Sequence, residues 1–345
     1  MKKKRLLALA LGLSLLAACG PKQADPTPAP TAEPTPEITA APTGEDVNVA
    51  VLKGPTGLGA AKLMAENEAG ESTNHYTFSV LAEPTEAVAG LSRTEDPFDI
   101  AAVPTNLAST LYHKTDGGIQ LLALNTLGVL YLLEKGDTVH SVADLAGKTI
   151  YATGQGANPE YVLNYLLRQN GLEPGKDVTV EWKASDELTT LMASGKIDLC
   201  MLPVPAATSV LMQNTDVRKA VSLTDEWENS GAEGVLTMGC VVARTEFVKE
   251  HPEAVKAFLE EYGASIGYMS DTTHLDDAAT LAETYGIVPK AAVAKKALPD
   301  ANLCFITGND MIAGIQGYYE VLYAADPSSI GGSIPDGAFY FNADA

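Results

Sequence analysis

From residue 47 onward, short apolar runs bounded by glycine and proline alternate with stretches whose apolar positions recur at helical spacing. VNVAVLK (47–53), YTFSVLA (76–82) and DIAAVP (99–104) read as strands, with helices expected near 57–65, 85–92 and 106–113. IQLLALNT (119–126) and VLYLLEK (129–135) are two consecutive strands, after which the pattern restarts. Ser141 and Asp144 fit a capping box for a short helix. KTIYAT (148–153), VTVEWK (178–183), DLCML (198–202) and RKAVSL (218–223) are the next strands, with helices near 158–170, 185–194 and 204–213. MGCVVA (238–243) closes this section, and the remainder is mainly helical, near 251–269, 274–285, 290–298 and 309–323. Alternation of this kind predicts parallel strands with helical crossovers, as two α/β units in tandem followed by a helical tail.

The N-terminus obeys a different rule. Lys2 to Arg5 are basic, and Leu6 to Ala18 form an apolar run of thirteen residues, short of the ~20 a spanning helix needs. This is the pattern of an export signal. Cys19 follows Leu16-Ala17-Ala18 directly, as in a bacterial lipobox; the alternative is an ordinary secretory signal with a chance cysteine. Diacylglycerol and an N-acyl group on Cys19 would supply the two chains stable anchoring requires. Residues 20–45 hold seven of the 20 prolines among threonine and alanine. Such a segment buries too little surface to offset its ordering entropy, and at ~3.1 Å per residue it would reach on the order of 80 Å. The expected layout is a signal peptide over 1–18 and a lipidated, disordered tether over 19–45.

Charge and cysteine use narrow the function. The net charge of −21 grows more negative once the basic residues of the leader are set aside, and a field of that sign repels phosphate backbones and anionic lipid heads. No nucleic-acid partner is expected. Cys200 and Cys240 lie in apolar, strand-like runs and read as small buried hydrophobes, and with Cys304 they permit at most one disulfide.

Motifs that suggest catalysis fail in context. Gly263-Ala-Ser265-Ile-Gly267 matches GxSxG but falls inside a helix, whereas a nucleophile elbow follows a strand, so Ser265 is read as a surface or packing residue. Gly147-Lys148-Thr149 ends like a P-loop, yet Val142 stands where its first glycine is needed. The five histidines show no HExxH spacing, and the acids around His274 (Asp271, Asp276, Asp277) read as a solvated helix start. Neither a cofactor nor a metal is expected, and the chain reads as a binder.

What remains is a set of small-residue turns at the carboxyl ends of strands: Lys53-Gly-Pro-Thr-Gly57, Pro104-Thr-Asn106, Asn125-Thr126, Thr153-Gly-Gln-Gly-Ala-Asn158 and Pro203-Val-Pro205. Open α/β sheets bind ligands there, where helix N-termini offer unpaired N–H groups. Each turn alone is also ordinary strand-to-helix punctuation. Five of them in two units point to a shared cleft.

The KGPTG turn (53–57), FDIAAVPTN (98–106), SVADLAGKTIYATGQG (141–156) and ELTTLMASGKIDLCMLP (187–203), together with the lipobox and tether, resemble the substrate-binding lipoproteins of ABC importers. The resemblance covers about residues 46–345 and is nearest the group serving nitrate, taurine, aliphatic sulfonates and thiamine-pyrimidine precursors. Val204-Pro205 departs from that group, which often has an acidic residue before the proline. The resemblance implies an α/β, two-lobed, periplasmic-binding-protein-like (type II) fold with two crossing hinge strands, near Leu130–Lys135 and Met238–Arg244. Lobe one would be 46–134 plus 240–345, and lobe two 135–239. Lys53, Gly54, Thr56, Thr105, Asn106 and Asn125 would line the first lobe, facing Gln155, Gly156, Ala157 and Asn158 of the second, with Tyr131 and Thr237 beside the hinge. The implied partners are a small-molecule ligand, an ABC permease and ATPase, and the bilayer through Cys19, on the extracytoplasmic face of the cell membrane. Rival roles are a ligand-sensing lipoprotein for a membrane receptor, or an enzyme on the same fold, as in menaquinone-precursor synthesis. None of the five arginines falls in the turns; an anion would rest on helix ends and Lys53, and a heterocycle could stack on Tyr131 or Tyr151.

Overall fold

Apolar runs too short for helices pair as strands, and the amphipathic stretches between them cover the faces of two sheets. A computed structural model describes residues 44–342; the expected export signal, Cys19 and nearly all of the expected tether lie outside the described residues. The first unit runs β1 (Asp46–Leu52), α1 (Pro55–Leu58), α2 (Ala61–Glu68), β2 (His75–Leu81), α3 (Pro84–Leu91), β3 (Ile100–Pro104), α4 (Thr105–Lys114) and β4 (Ile119–Leu127). The second runs β5 (Leu130–Lys135), β6 (Thr149–Ala152), α5 (Asn158–Gln169), β7 (Thr179–Trp182), α6 (Ser185–Ala193), β8 (Leu199–Pro203), α7 (Ala206–Gln213), β9 (Val217–Ser222) and α8 (Leu223–Asn229). The chain then returns through β10 (Thr237–Arg244), α9 (Thr245–Glu250), α10 (Pro252–Ser270), α11 (Leu275–Thr284), α12 (Ala291–Ala297), β11 (Leu303–Ile306) and α13 (Gly308–Ala325). Ser141 and Asp144 form the expected capping box, on a 3-10 turn over Val142–Leu145.

The strands order β11-β4-β10-β3-β1-β2 in one sheet and β7-β6-β8-β5-β9 in the other. Strands joined by crossover helices are parallel as expected: β1 with β2 and β3, and β6 with β7 and β8. Besides the edge strand β11, one strand in each sheet breaks the rule. β10 runs antiparallel to β3 and β4, and β5 antiparallel to β8 and β9. The reason is the route of entry. A crossover helix returns the chain to the far end of its own sheet, whereas a strand arriving directly from the other sheet enters at the near end and runs the opposite way.

Leu130–Lys135 and Met238–Arg244, expected as the crossings, are therefore sheet strands along their length. The chain passes between sheets at Gly128–Val129 and again over residues 230–236. β11 is a second difference. This half-buried strand pairs antiparallel with β4 at the sheet edge, and its four residues are too few to show a period inside a tail that reads as helical. One hydrophobic core runs through both sheets, and a smaller one packs α6 and α7 on the second sheet around Leu133, Leu188, Met192 and Val210. Among the described residues no helix is long and apolar enough to cross a membrane.

Candidate ligand cleft

Asn125 and Thr126, expected as a turn, lie inside β4, and the other four segments stand at strand ends. Thr105 and Asn158 reach Thr237 and Met238 just past the returning link, Val204 reaches the outgoing link, and Thr56 meets Asn125. The turn after β1 is held from outside itself: Lys53 N–H donates to the Leu81 carbonyl (2.9 Å), and Gly54 N–H to the Ile287 carbonyl (3.0 Å). Gly54 has φ 92° and ψ −154°, a conformation glycine alone adopts without strain. Pro55 then opens α1. Lys53 itself is exposed.

Asn125 ties this turn to the sheet. Its Nδ2 donates to the Thr56 carbonyl (3.0 Å) and to the Tyr262 hydroxyl (2.9 Å), while its Oδ1 accepts from Thr126 Oγ1 (3.1 Å). Burial pushes the Tyr262 phenol well above its ordinary range, opposed by the Asn125 bond. Gly239 of β10 passes so close that a Cβ there would stand 2.6 Å from Asn125 Oδ1 and 2.9 Å from Thr56 Cγ2. Only glycine fits that strand position without displacing the turn.

A second knot forms around Asn158, the first residue of α5. Its Oδ1 accepts from the Asn106 backbone N–H (3.0 Å) and the Tyr318 hydroxyl (2.7 Å). Its Nδ2 donates to the Met238 carbonyl (2.7 Å). A side chain following β6 of the second sheet thus caps the N-terminus of α4 on the first, where Pro104 offers no capping side chain. The helix end that could meet an anion is partly satisfied by protein. Around it, Thr105 Oγ1 lies 3.2 Å from Thr237 Oγ1, and Tyr319 donates to the Thr105 carbonyl (2.8 Å). Asn106 Nδ2 donates to the Ser329 carbonyl (3.2 Å), whereas its Oδ1 is buried without a protein partner.

The turn after β6 is the more exposed. Gln155 and Gly156 are exposed and Ala157 is half-buried. Gly156 N–H donates to Glu160 Oε2 (2.6 Å) and Ala157 N–H to the Gly154 carbonyl (3.1 Å), so these two amides are already engaged. The turn after β8 is fastened to the outgoing link by Val204 N–H on the Val129 carbonyl (3.0 Å). Tyr131 is half-buried at the start of β5, with the Lys219 ammonium 4.3 Å from its ring centre. Burial, then the charges of Asp300 and Asp225, push its phenol pKa up.

The sequence-predicted residues thus fall into three groups: Thr56 with Asn125, Thr105 and Asn106 with Asn158, and the outer Lys53, Gly54, Gln155, Gly156 and Ala157. Sequence reasoning missed Tyr262, Tyr318, Tyr319 and Gly239, which hold the first two groups in place. The available signal was that a buried tyrosine needs a partner for its hydroxyl; which turn it reaches is a matter of tertiary packing. The four described arginines are engaged elsewhere: Arg93 over Phe98, Arg168 with Glu173, Arg218 with Glu134 and Arg244 with Asp99.

The catalytic look-alike resolves as packing. Ser265 is fully buried in α10, donates to the Gly59 carbonyl (2.6 Å) and accepts from Leu63 N–H (2.9 Å). It therefore caps α2, whose own N-cap residue, Ala60, cannot. Cys200 and Cys240 are buried, and burial raises both thiol pKa values, that of Cys200 to about 12. Asp271 caps the turn at Thr273 as a helix entry. Among the described residues no group of three or more His, Cys, Asp or Glu is placed to hold a metal ion.

Two mixed sheets joined by two links, with strand-end turns gathered at the junction, define the periplasmic-binding-protein-like fold of ABC-transporter substrate-binding proteins. Solved structures bear this out. An ABC transporter protein from Parabacteroides distasonis aligns with TM-score 0.70 at 22% identity, over 87% of this chain and 99% of that one. The alkanesulfonate-binding protein SsuA from Xanthomonas axonopodis pv. citri, bound to MOPS, aligns with TM-score 0.61 at 15% identity, over 83% and 94%. The periplasmic nitrate-binding protein NrtA from Synechocystis PCC 6803 aligns with TM-score 0.53 at 15% identity, over 70% and 66%. At these identities the likeness establishes the fold. Residues 119–272, from the start of β4 to just past α10, match the family described as NMT1/THI5 like. No curated protein matches the sequence.

Proposed function

We propose that the protein is an extracytoplasmic solute-binding lipoprotein. Anchored to the bacterial cell membrane through lipidated Cys19, it captures one small organic or oxyanion solute between two lobes and delivers it to the permease and ATPase of an ABC importer. The observation that carries this reading is that strand-end residues of the two sheets meet beside two short links, Asn158 on Asn106 and Met238 and Val204 on Val129. Lys53, Gly54, Thr56, Thr105, Asn106 and Asn125 line one side, and Gln155, Gly156, Ala157 and Asn158 the other. Proteins of the same fold that bind alkanesulfonate and nitrate support a small solute. With the described arginines paired elsewhere, a charged solute would meet Lys53, hydroxyls and helix ends rather than a guanidinium fork.

The test is a thermal-shift screen with nitrate, taurine, alkanesulfonates, pyrimidines and flavins, followed by calorimetry on each hit. At a hundred times Kd a ligand adds ~2.7 kcal/mol, which raises the midpoint by several degrees in a chain of this size. One saturable ligand per chain is expected, together with an acylated Cys19 in the mass spectrum of membrane-extracted protein. Catalytic turnover of a bound compound, or a Cys19 that is never acylated, would overturn the reading.

A further inference from the structure

Besides the apolar packing of α5 and Trp227 against α13, two polar contacts join the halves of the molecule. The Asn158 knot is uncharged and buried. The other lies beside the outgoing link. Lys219, in β9 of the second sheet, forms an ion pair with Asp300, which ends a 3-10 turn (Leu298–Asp300) packed with α10 and α12. Two residues further on, Asn302 Nδ2 donates to the Gly128 carbonyl in the link itself, and α12 packs against α7 of the second unit.

The placement of Lys219 sets it apart from its neighbour. Arg218, also in β9, pairs with Glu134 of the adjacent strand β5, so that bond stays within one sheet. If the halves swing about Gly128–Val129 and residues 230–236, the Arg218 pair is unaffected, whereas the Lys219–Asp300 pair spans the swing. Its side chains are 32% and 42% exposed, so water and salt reach them. The Tyr131 ring, 4.3 Å from the ammonium, gives Lys219 a cation–π partner on its own sheet. Tyr131 thereby holds the lysine poised when Asp300 withdraws.

We propose that Lys219 and Asp300, backed by Tyr131, form a salt-sensitive latch that stabilises the closed arrangement without ligand and sets the fraction of molecules open to solute. This rests on the reading of a two-lobed solute binder. Exposed pairs of this kind change an equilibrium by about two- to five-fold, enough to shift ligand capture without locking the cleft.

The test places spin labels on the full-length chain at Glu71→Cys and Lys176→Cys, exposed positions on opposite units, and measures the distance distribution without ligand. Wild type is expected to be mostly short-distance at low salt and to lengthen at about 1 M NaCl, where the screening length is ~3 Å. Lys219→Gln and Asp300→Asn should be shifted to long distances at both salts, and Lys219→Asp combined with Asp300→Lys should recover the short distance at low salt. Distributions unchanged by salt and by either single substitution overturn the latch. If a ligand found by screening still shortens the distance, solute capture stands without it; if no condition changes the distance, hinge closure falls as well.

Discussion

The floor and the rim of the candidate cleft are built from the same kinds of residue and do different work. On the floor, Asn158 and Asn125 are 0% and 1% exposed, and both ends of each amide are hydrogen-bonded to protein. On the rim, Lys53, Gln155 and Gly156 stand in solvent. Asn125 lies near the end of β4, Asn158 opens α5, and the other three occupy turns just past strand ends. A floor amide holds two elements together and is felt in folding whether or not ligand is present. A rim side chain has nothing comparable to lose when truncated, so its role, if any, must lie in recognition.

The largest expected effect is at Asn158. Truncation to alanine strands the Asn106 N–H, the Met238 carbonyl and the Tyr318 hydroxyl in buried positions. At about 1–3 kcal/mol per stranded group, with partial relief by relaxation or water, the loss should be about 3–5 kcal/mol. Chemical denaturation should report it as a lower midpoint at unchanged m-value. A loss below about 1 kcal/mol would mean that the two halves do not meet through this side chain. Asn125→Ala comes next, at about 2–3 kcal/mol, because it frees the Thr56 carbonyl and the Tyr262 and Thr126 hydroxyls within one unit. Its signature is local: hydrogen exchange over residues 54–58 should accelerate more than over α5. Equal acceleration in both would show that the floor behaves as one knot rather than two.

Much of the fold was legible because it rests on local pattern. Apolar runs, prolines at first helical turns and the Ser141–Asp144 capping box lie in adjacent residues, and the structure has them where the pattern puts them. Strand direction in β5 and β10 was not legible, since it depends on which sheet the chain has just left. The site divides along the same line. That polar turns follow the strands is written in the sequence, but that Asn158 reaches Asn106, 52 residues away, and Tyr318, 160 away, is settled only by packing. Ser265 makes the same point in reverse, for a local GxSxG pattern is overridden by a contact 206 residues distant.

The smallest expected effect on stability is the one that separates floor from rim most cleanly. Lys53→Ala and Gln155→Ala remove exposed side chains, while the Lys53 backbone bond to Leu81 is untouched by substitution. Unfolding free energy should therefore change by no more than about 0.5 kcal/mol. If these residues line the solute site, the same variants weaken binding of the compound identified by screening, and the Lys53 loss grows as salt falls when that compound is an anion. Titration calorimetry beside denaturation distinguishes the cases. Binding that weakens at constant stability places Lys53 and Gln155 in recognition. Binding and stability both unchanged would move the recognition surface inward to Thr105 and to the unpaired Asn106 Oδ1, the one buried side-chain oxygen among the described residues left without a protein partner.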